Sequence, residues 1–228
     1  MRTSLITGAG RGIGRELARV LLDRGERVIG TVRDLRQIPD EWAGFRQQGR
    51  LEVLSLDVRD EASIAAAARA VNVPVDVLVN NAGIIGPARQ STLDMDFDGF
   101  LDTLAVNTLG PLRIVQAFMP HLRRAPSGKI VTISSRMGSL SYAKSDRIAY
   151  RASKAAVNKV MQGLATDLHR EGIAVVSVHP GWVRTDMGGA GADIPVQESA
   201  AALLRLIDRL TLNDTGQFFD WQGAALEY

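Results

Sequence analysis

An α/β chain built on one parallel seven-stranded sheet, with helices on both faces, is what this sequence predicts, on three observations. Short runs rich in Val, Ile and Leu alternate with helical patterns from end to end, and repeated strand–helix–strand units lead to a parallel sheet. The strand-like runs do not alternate polar with apolar residues, as expected of strands buried on both faces. At 228 residues the chain suits one α/β domain over 1–228 and has no room for a separate substrate domain.

The first strand, Thr3–Thr7, enters a Gly-rich turn, and the helix Ile13–Asp23 follows. Arg27–Thr31 is the second strand. The helical pattern of Leu35–Gln48 is weaker, because Pro39 and Gly44 interrupt it. Strand Leu51–Leu56 precedes helix Glu61–Val71, and strand Val75–Val79 precedes the long helix Asp98–Leu122. Strand Lys129–Ser134 and helix Ile148–Arg170 come next, then strand Ala174–His179, helix Val196–Leu210 and the last strand, Gly216–Phe219. Three connections are long: Asn80–Asp96, Arg136–Arg147 and Gly181–Pro195. Each follows the carboxyl end of a strand, the rim where open parallel sheets bind ligands.

Composition narrows the chemistry. Hydrophobic residues make up 46% and charged residues 23%, enough for a large core and against global disorder. A net charge of +2 is too balanced to argue for a nucleic acid or an anionic membrane as partner. No cysteine is present, so thiolate catalysis, disulfides and Cys-ligated metals are excluded. His121, His169 and His179 lie far apart without ligand spacing, and no metal site is expected. No apolar run reaches the ~18 residues of a membrane span. MRTSLITGAG lacks a secretory apolar stretch, and the expected location is the cytoplasm.

Five motifs carry chemistry. Thr7-Gly8-Ala9-Gly10-Arg11-Gly12-Ile13-Gly14 joins strand one to helix one. Backbone N–H groups and a helix N-terminus there can approach a pyrophosphate without a Cβ in the way. Gly8, Gly12 and Gly14 are the key positions. Asp57-Val58 ends strand three; its carboxylate could accept from an adenine amino group, or simply be a solvated strand end. Asn80-Asn81-Ala82-Gly83 ends strand four, where small residues let the backbone pack on a ribose and Asn80 could tie the loops together. An ordinary turn has the same composition. His179-Pro180-Gly181-Trp182-Val183-Arg184-Thr185 follows strand six; the backbone after Pro180 could face a nicotinamide amide, with Thr185 nearby, or the strand could merely end there.

The fifth motif decides the reaction. Tyr150 and Lys154 stand at i and i+4 on one helical face. With three tyrosines and four lysines in the chain, chance places such a pair well below once. An ammonium near a phenol favours the phenolate, so Tyr150 can exchange a proton with a carbonyl or alcohol oxygen. Ser135 at the end of strand five could hold the same oxygen. Asn107 sits awkwardly among Leu104, Val106 and Leu109, either as a surface Asn or as a link that positions Lys154 through water.

The order TGxxxGxG, NNAG, Asn, Ser, YxxxK, PGxxxT resembles the single-domain branch of the short-chain dehydrogenase/reductase superfamily over essentially the whole chain. HPGWVRTDMGG and the late GQFFDWQG resemble its C-factor-like and sniffer-type carbonyl reductases. The resemblance implies a Rossmann-type doubly wound domain with integrated substrate loops and a catalytic tetrad of Asn107, Ser135, Tyr150 and Lys154. Tyr150 would be the acid/base, and Lys154 would lower its pKa and bind the nicotinamide ribose. Ser135 is chosen over Ser134 because the family's serine is second in such an Ile-Ser-Ser run. Gly8, Gly10, Arg11, Gly12, Ile13, Gly14, Asp57, Val58, Asn81, Ala82, Gly83, Tyr150, Lys154, Pro180, Gly181, Val183 and Thr185 would bind the cofactor.

NADP(H) is favoured over NAD(H). NAD selectivity generally needs a carboxylate on the ribose hydroxyls at the end of strand two, whereas a 2′-phosphate needs a cation. Val32 takes that slot and Arg33 follows; Arg11 can add a second guanidinium, and Asp34 could offset Arg33. Ile84, Ile85, Met137, Tyr142, Trp182 and Met187 suggest an apolar substrate pocket, hence a small apolar carbonyl or secondary alcohol. Asp98–Leu122 and Ile148–Arg170 resemble helices that pair subunits, so a homodimer or homotetramer is expected. The alternative is a dinucleotide-binding signalling or regulatory protein with incidental redox activity; a lyase or epimerase reusing Tyr and Lys is the other rival.

Overall fold

Strands β1 (Thr3–Ile6), β2 (Arg27–Val32), β3 (Leu51–Ser55), β4 (Val77–Asn80), β5 (Lys129–Ile133), β6 (Ala174–His179) and β7 (Phe218–Asp220) form one sheet in the order β3-β2-β1-β4-β5-β6-β7. Every pair is parallel, and the Rossmann-type arrangement expected from the sequence is present. The computed structural model describes residues 1–228, Gln37 by its backbone alone.

Strand alternation sends one set of side chains to each face. Leu17, Leu21 and Leu22 of helix α1 (Gly12–Asp23) and Leu203, Leu204 and Ile207 of α7 (Val196–Arg209) bury one face with Ile6, Val79 and Val178. On the other, α3 (Glu61–Ala70), α5 (Gly110–Leu122) and α6 (Ile148–Leu168) cover Leu5, Leu78, Ile130 and Val175. The winding reverses between β1 and β4, which opens a crevice beyond their carboxyl ends. Among the described residues, no helix is long and apolar enough to cross a membrane.

Some elements depart from expectation. The helix expected over Asp98–Leu122 is α4 (Phe97–Leu104), a π-helical turn (Ala105–Leu109) and α5. Such turns widen a helix by one residue and often mark functional positions; this one carries Asn107. Leu35–Gln48 breaks into two 3₁₀ turns, Leu35–Gln37 and Asp40–Trp42, and a short α2 (Ala43–Gln47), as Pro39 denies a continuous helix its N–H. The last strand begins at Phe218 because Gly216 is left-handed, with φ of 81°.

Candidate active site

The glycine turn and the NNAG loop lock together at the switch point. Gly8 and Gly12 adopt positive φ, 67° and 53°, which L side chains rarely tolerate. Gly14 is small for a different reason: a Cβ there would run into the Asn81 amide and the Gly8 carbonyl. That amide donates to Thr7 O at 2.9 Å and Gly8 O at 3.1 Å, while the Thr7 hydroxyl accepts from Asn81 N and Ala82 N, both at 3.0 Å. The loops are therefore tied by Asn81 and not, as expected, by Asn80. The side chain of Asn80 lies on the buried sheet face and donates to Thr132 Oγ1 at 3.2 Å.

A cleft of about 360 Å³ opens here, lined by Gly8, Gly10, Arg11, Gly12, Ile13, Arg33, Asp57, Val58, Asn81, Ala82, Gly83, Tyr150, Lys154, Pro180 and Thr185 of the expected set. Gly14 acts beneath the lining. Gly181 and Val183 stand back from it: Gly181 makes a left-handed bend with φ of 87°, and Val183 is buried and bridges to Ile194. Of the apolar residues expected to hold substrate, Ile84 and Met187 reach the cleft, whereas Tyr142 and Trp182 are about half exposed.

Of the expected tetrad, Tyr150 and Lys154 line one end of the cleft, while Asn107 and Ser135 lie outside its lining. Helix α6 carries Tyr150 and Lys154, and Lys154 Nζ lies 5.7 Å from the centre of the Tyr150 ring while donating to Ile133 O at 2.8 Å. Ser135 accepts from Met137 N at 3.1 Å and stands close enough to the Tyr150 phenol to favour its ionised form. The neighbouring Ser134 reaches the cleft lining but donates to Asn158 Oδ1 at 2.6 Å. The Asn107 amide donates to Ile84 O at 2.8 Å and Ser153 Oγ at 3.0 Å, and its oxygen accepts from Ile84 N at 2.9 Å. It anchors the cleft wall directly, beside Gly83, where a Cβ would stand 3.2 Å from Asn107 Oδ1 and 3.8 Å from Lys154 Nζ.

Two positioning residues escaped sequence reading. Arg147, at the start of α6, offers no side-chain cap; Gln90 substitutes, its Oε1 accepting from Tyr150 N at 3.1 Å and its backbone oxygen accepting from Ile148 N at 2.9 Å. Gly138 allows the turn after Ser135 to lie on α6, since a Cβ would come within 2.6 Å of the Lys154 carbonyl carbon. Neither residue type carries a local signal for a contact made across the fold.

Burial raises the Tyr150 pKa above its ordinary 10, with the Ser135 hydrogen bond and the charge of Arg147 acting the other way. Burial pushes the Lys154 pKa down to about 8. Desolvation is the largest influence on both groups. His179 is pushed down to about 4, by burial first and then by Arg136, with Asp220 opposing.

At the opposite end, Arg33 has no ion pair among the described residues, while Arg11 meets Asp186 at 3.4 Å. Asp34 does not offset Arg33: its carboxylate holds the Arg36 guanidinium at 2.8 Å and accepts from Arg36 N at 3.0 Å. Two guanidinium groups, of Arg11 and Arg33, and the Tyr150 phenol thus line one cleft.

A family model described as short chain dehydrogenase matches residues 2–193. The chain belongs to that family. C-signal of Myxococcus xanthus is 44% identical over 157 residues, covering 68% of this chain and 93% of that protein. An NADPH-bound carbonyl reductase from chicken fatty liver superposes with a TM-score of 0.92 at 32% identity, covering 100% and 99% of the two chains. The carbonyl reductase Sniffer of Drosophila melanogaster gives 0.93 at 29% identity over 100% of both. This short-chain dehydrogenase is thus an oxidoreductase using a nicotinamide cofactor, and the crevice fits such a group: the glycine turn leaves a cradle that a Cβ would fill.

Proposed function

We propose that the chain is an NADP(H)-dependent carbonyl reductase acting on small, chiefly apolar ketones or aldehydes. The observation that carries this reading is one cleft lined by Tyr150 and Lys154 at one end, with Ser135 next to the phenol, and by the unpaired Arg33, beside Val32, at the other. Arg33 and Arg11 would hold the 2′-phosphate, the glycine turn the pyrophosphate, and Lys154 the nicotinamide ribose. The cofactor supplies or accepts the hydride at the carbonyl carbon. Ser135 holds the carbonyl oxygen, and Tyr150 delivers its phenolic proton to that oxygen as the alcohol forms. Asn107 and Gln90 position these groups. Reduction uses the protonated phenol, and alcohol oxidation its phenolate. One domain carries cofactor and substrate sites together, and two or four copies associate through α4, α5 and α6, which sedimentation would test.

The experiment follows NADPH and NADH oxidation against a panel of ketones and aldehydes, before and after Arg33→Ala. Turnover with NADPH preferred, and the preference lost in Arg33→Ala, supports the reading; a wild type that prefers NADH overturns the phosphate argument. The likeness to C-signal favours a second reading, a dinucleotide-binding signalling protein, supported by tight cofactor binding with no turnover on any carbonyl.

A further inference from the structure

We propose that Arg59 sets the preference for a 2′-phosphorylated cofactor by cancelling the charge of Asp57 in the cleft. The inference rests on the NADP(H) reading above, but Arg59 had no part in it.

Arg33, Asp57, Arg59 and Asp102 line the same stretch of the cleft. The Arg59 guanidinium bridges two carboxylates, 2.8 Å to Asp57 Oδ2 and 2.9 Å to Asp102 Oδ1. Asp57 Oδ1 also accepts from Arg59 N at 2.9 Å and Nε at 3.2 Å. With about two lone-pair sites on each oxygen, Oδ1 is filled and Oδ2 has room for one more donor, such as an adenine amino group. Asp57 is held below its ordinary carboxylate range by the Arg59 hydrogen bond above all, with Arg33 contributing, so it stays charged next to the cation assigned to the phosphate.

An uncompensated carboxylate there would repel a phosphate dianion and compete for Arg33. The four side chains balance to zero. Loss of Arg59 alone leaves one net negative charge facing the ligand; neutralising Asp57 as well restores the balance. A carboxylate at this end of a cofactor cleft by itself disfavours NADP(H), and the guanidinium two residues along removes that penalty. Asp102, on α4, holds the guanidinium from the far side and makes it a fixed bridge.

The test measures dissociation constants of NADPH and NADH on the purified full chain by fluorescence titration. Arg59→Gln should weaken NADPH about tenfold and NADH less than about threefold, since the pair is partly exposed and screened. Asp57→Asn together with Arg59→Gln should return the NADPH/NADH ratio to within about threefold of wild type, and the Arg59→Gln effect should shrink with added salt. Asp102→Asn, which keeps Arg59, should move the ratio the other way, towards NADPH. Equal weakening of both cofactors would make Arg59 merely structural and overturn the proposal. So would a ratio that Asp57→Asn fails to restore, which would place Arg59 on the phosphate itself. A wild type favouring NADH refutes the NADP(H) reading, yet the ratio shift stays measurable, so the two claims fail separately.

Discussion

Replacing Asn107 by Ala removes three hydrogen bonds at once from a side chain that is 1% exposed. The Ile84 N–H and C=O lose their partner, and the buried Ser153 hydroxyl loses a donor while keeping its own bond to Tyr150 O at 2.7 Å. Each lost bond costs about 1 kcal/mol, with more where a partner stays dry; Ile84 is half-buried and water can reach it in part, so a total of about 3 kcal/mol follows. With an m-value of about 3 kcal/mol/M for a chain of this size, the urea midpoint falls by roughly 1 M. Urea unfolding followed by tryptophan fluorescence measures this. Because Gly83 and Ile84 form the cleft wall, the NADPH dissociation constant should rise several-fold in the same variant. A midpoint shift below about 0.2 M with unchanged cofactor affinity would refute the anchoring role and return Asn107 to a generic helix residue.

Gly14→Ala drives the Asn81 amide off Thr7 O and Gly8 O; overpacking plus lost hydrogen bonds should cost about 2–4 kcal/mol in the same unfolding assay. His179 is held neutral to about pH 4, below its unfolded value near 6.5. Its stabilisation is therefore present above pH 6.5 and lost as pH falls through 4, on the order of 2–3 kcal/mol. Thermal melts of His179→Gln between pH 7 and 4 should show a shallower decline than wild type. For Lys154, pushed down to about 8, the ammonium is lost above that pH, so kcat/KM for NADPH, which reports the free enzyme, should fall there. Lys154→Arg should move that limb upward.

Local patterns carried the sheet, because buried parallel strands need apolar runs wherever they occur, and β6 matches its expected bounds of Ala174–His179. They failed where a distant partner decides. The π-helical turn at Asn107 reflects Ile84 and Ser153, residues 23 and 46 positions away. Asn80 and Asn81 are adjacent and alike, and only the placement of Thr7 against the NNAG loop chooses Asn81 as the tie. Ser135 was chosen over Ser134 from its place in the Ile-Ser-Ser run; that the Ser134 hydroxyl is held by Asn158 is visible only in the fold. The charge logic of the Tyr150–Lys154 pair was legible only as proximity. Burial, invisible in the spacing of Tyr and Lys, is the largest influence on both groups. Arg59 and Gln90 bear no motif at all; they become meaningful only when the fold sets them against Asp102 and the first turn of α6.

The most direct measurement is a single-turnover experiment with Tyr150→Phe, preloaded with NADPH and mixed with a carbonyl compound that the wild type reduces. With the phenolic proton gone and the ring retained, hydride transfer should slow by about 10²–10⁴-fold, while the NADPH dissociation constant stays within about threefold. Reduction at close to the wild-type rate would show that another group protonates the carbonyl oxygen, and the assignment of the phenol as the proton donor would be wrong.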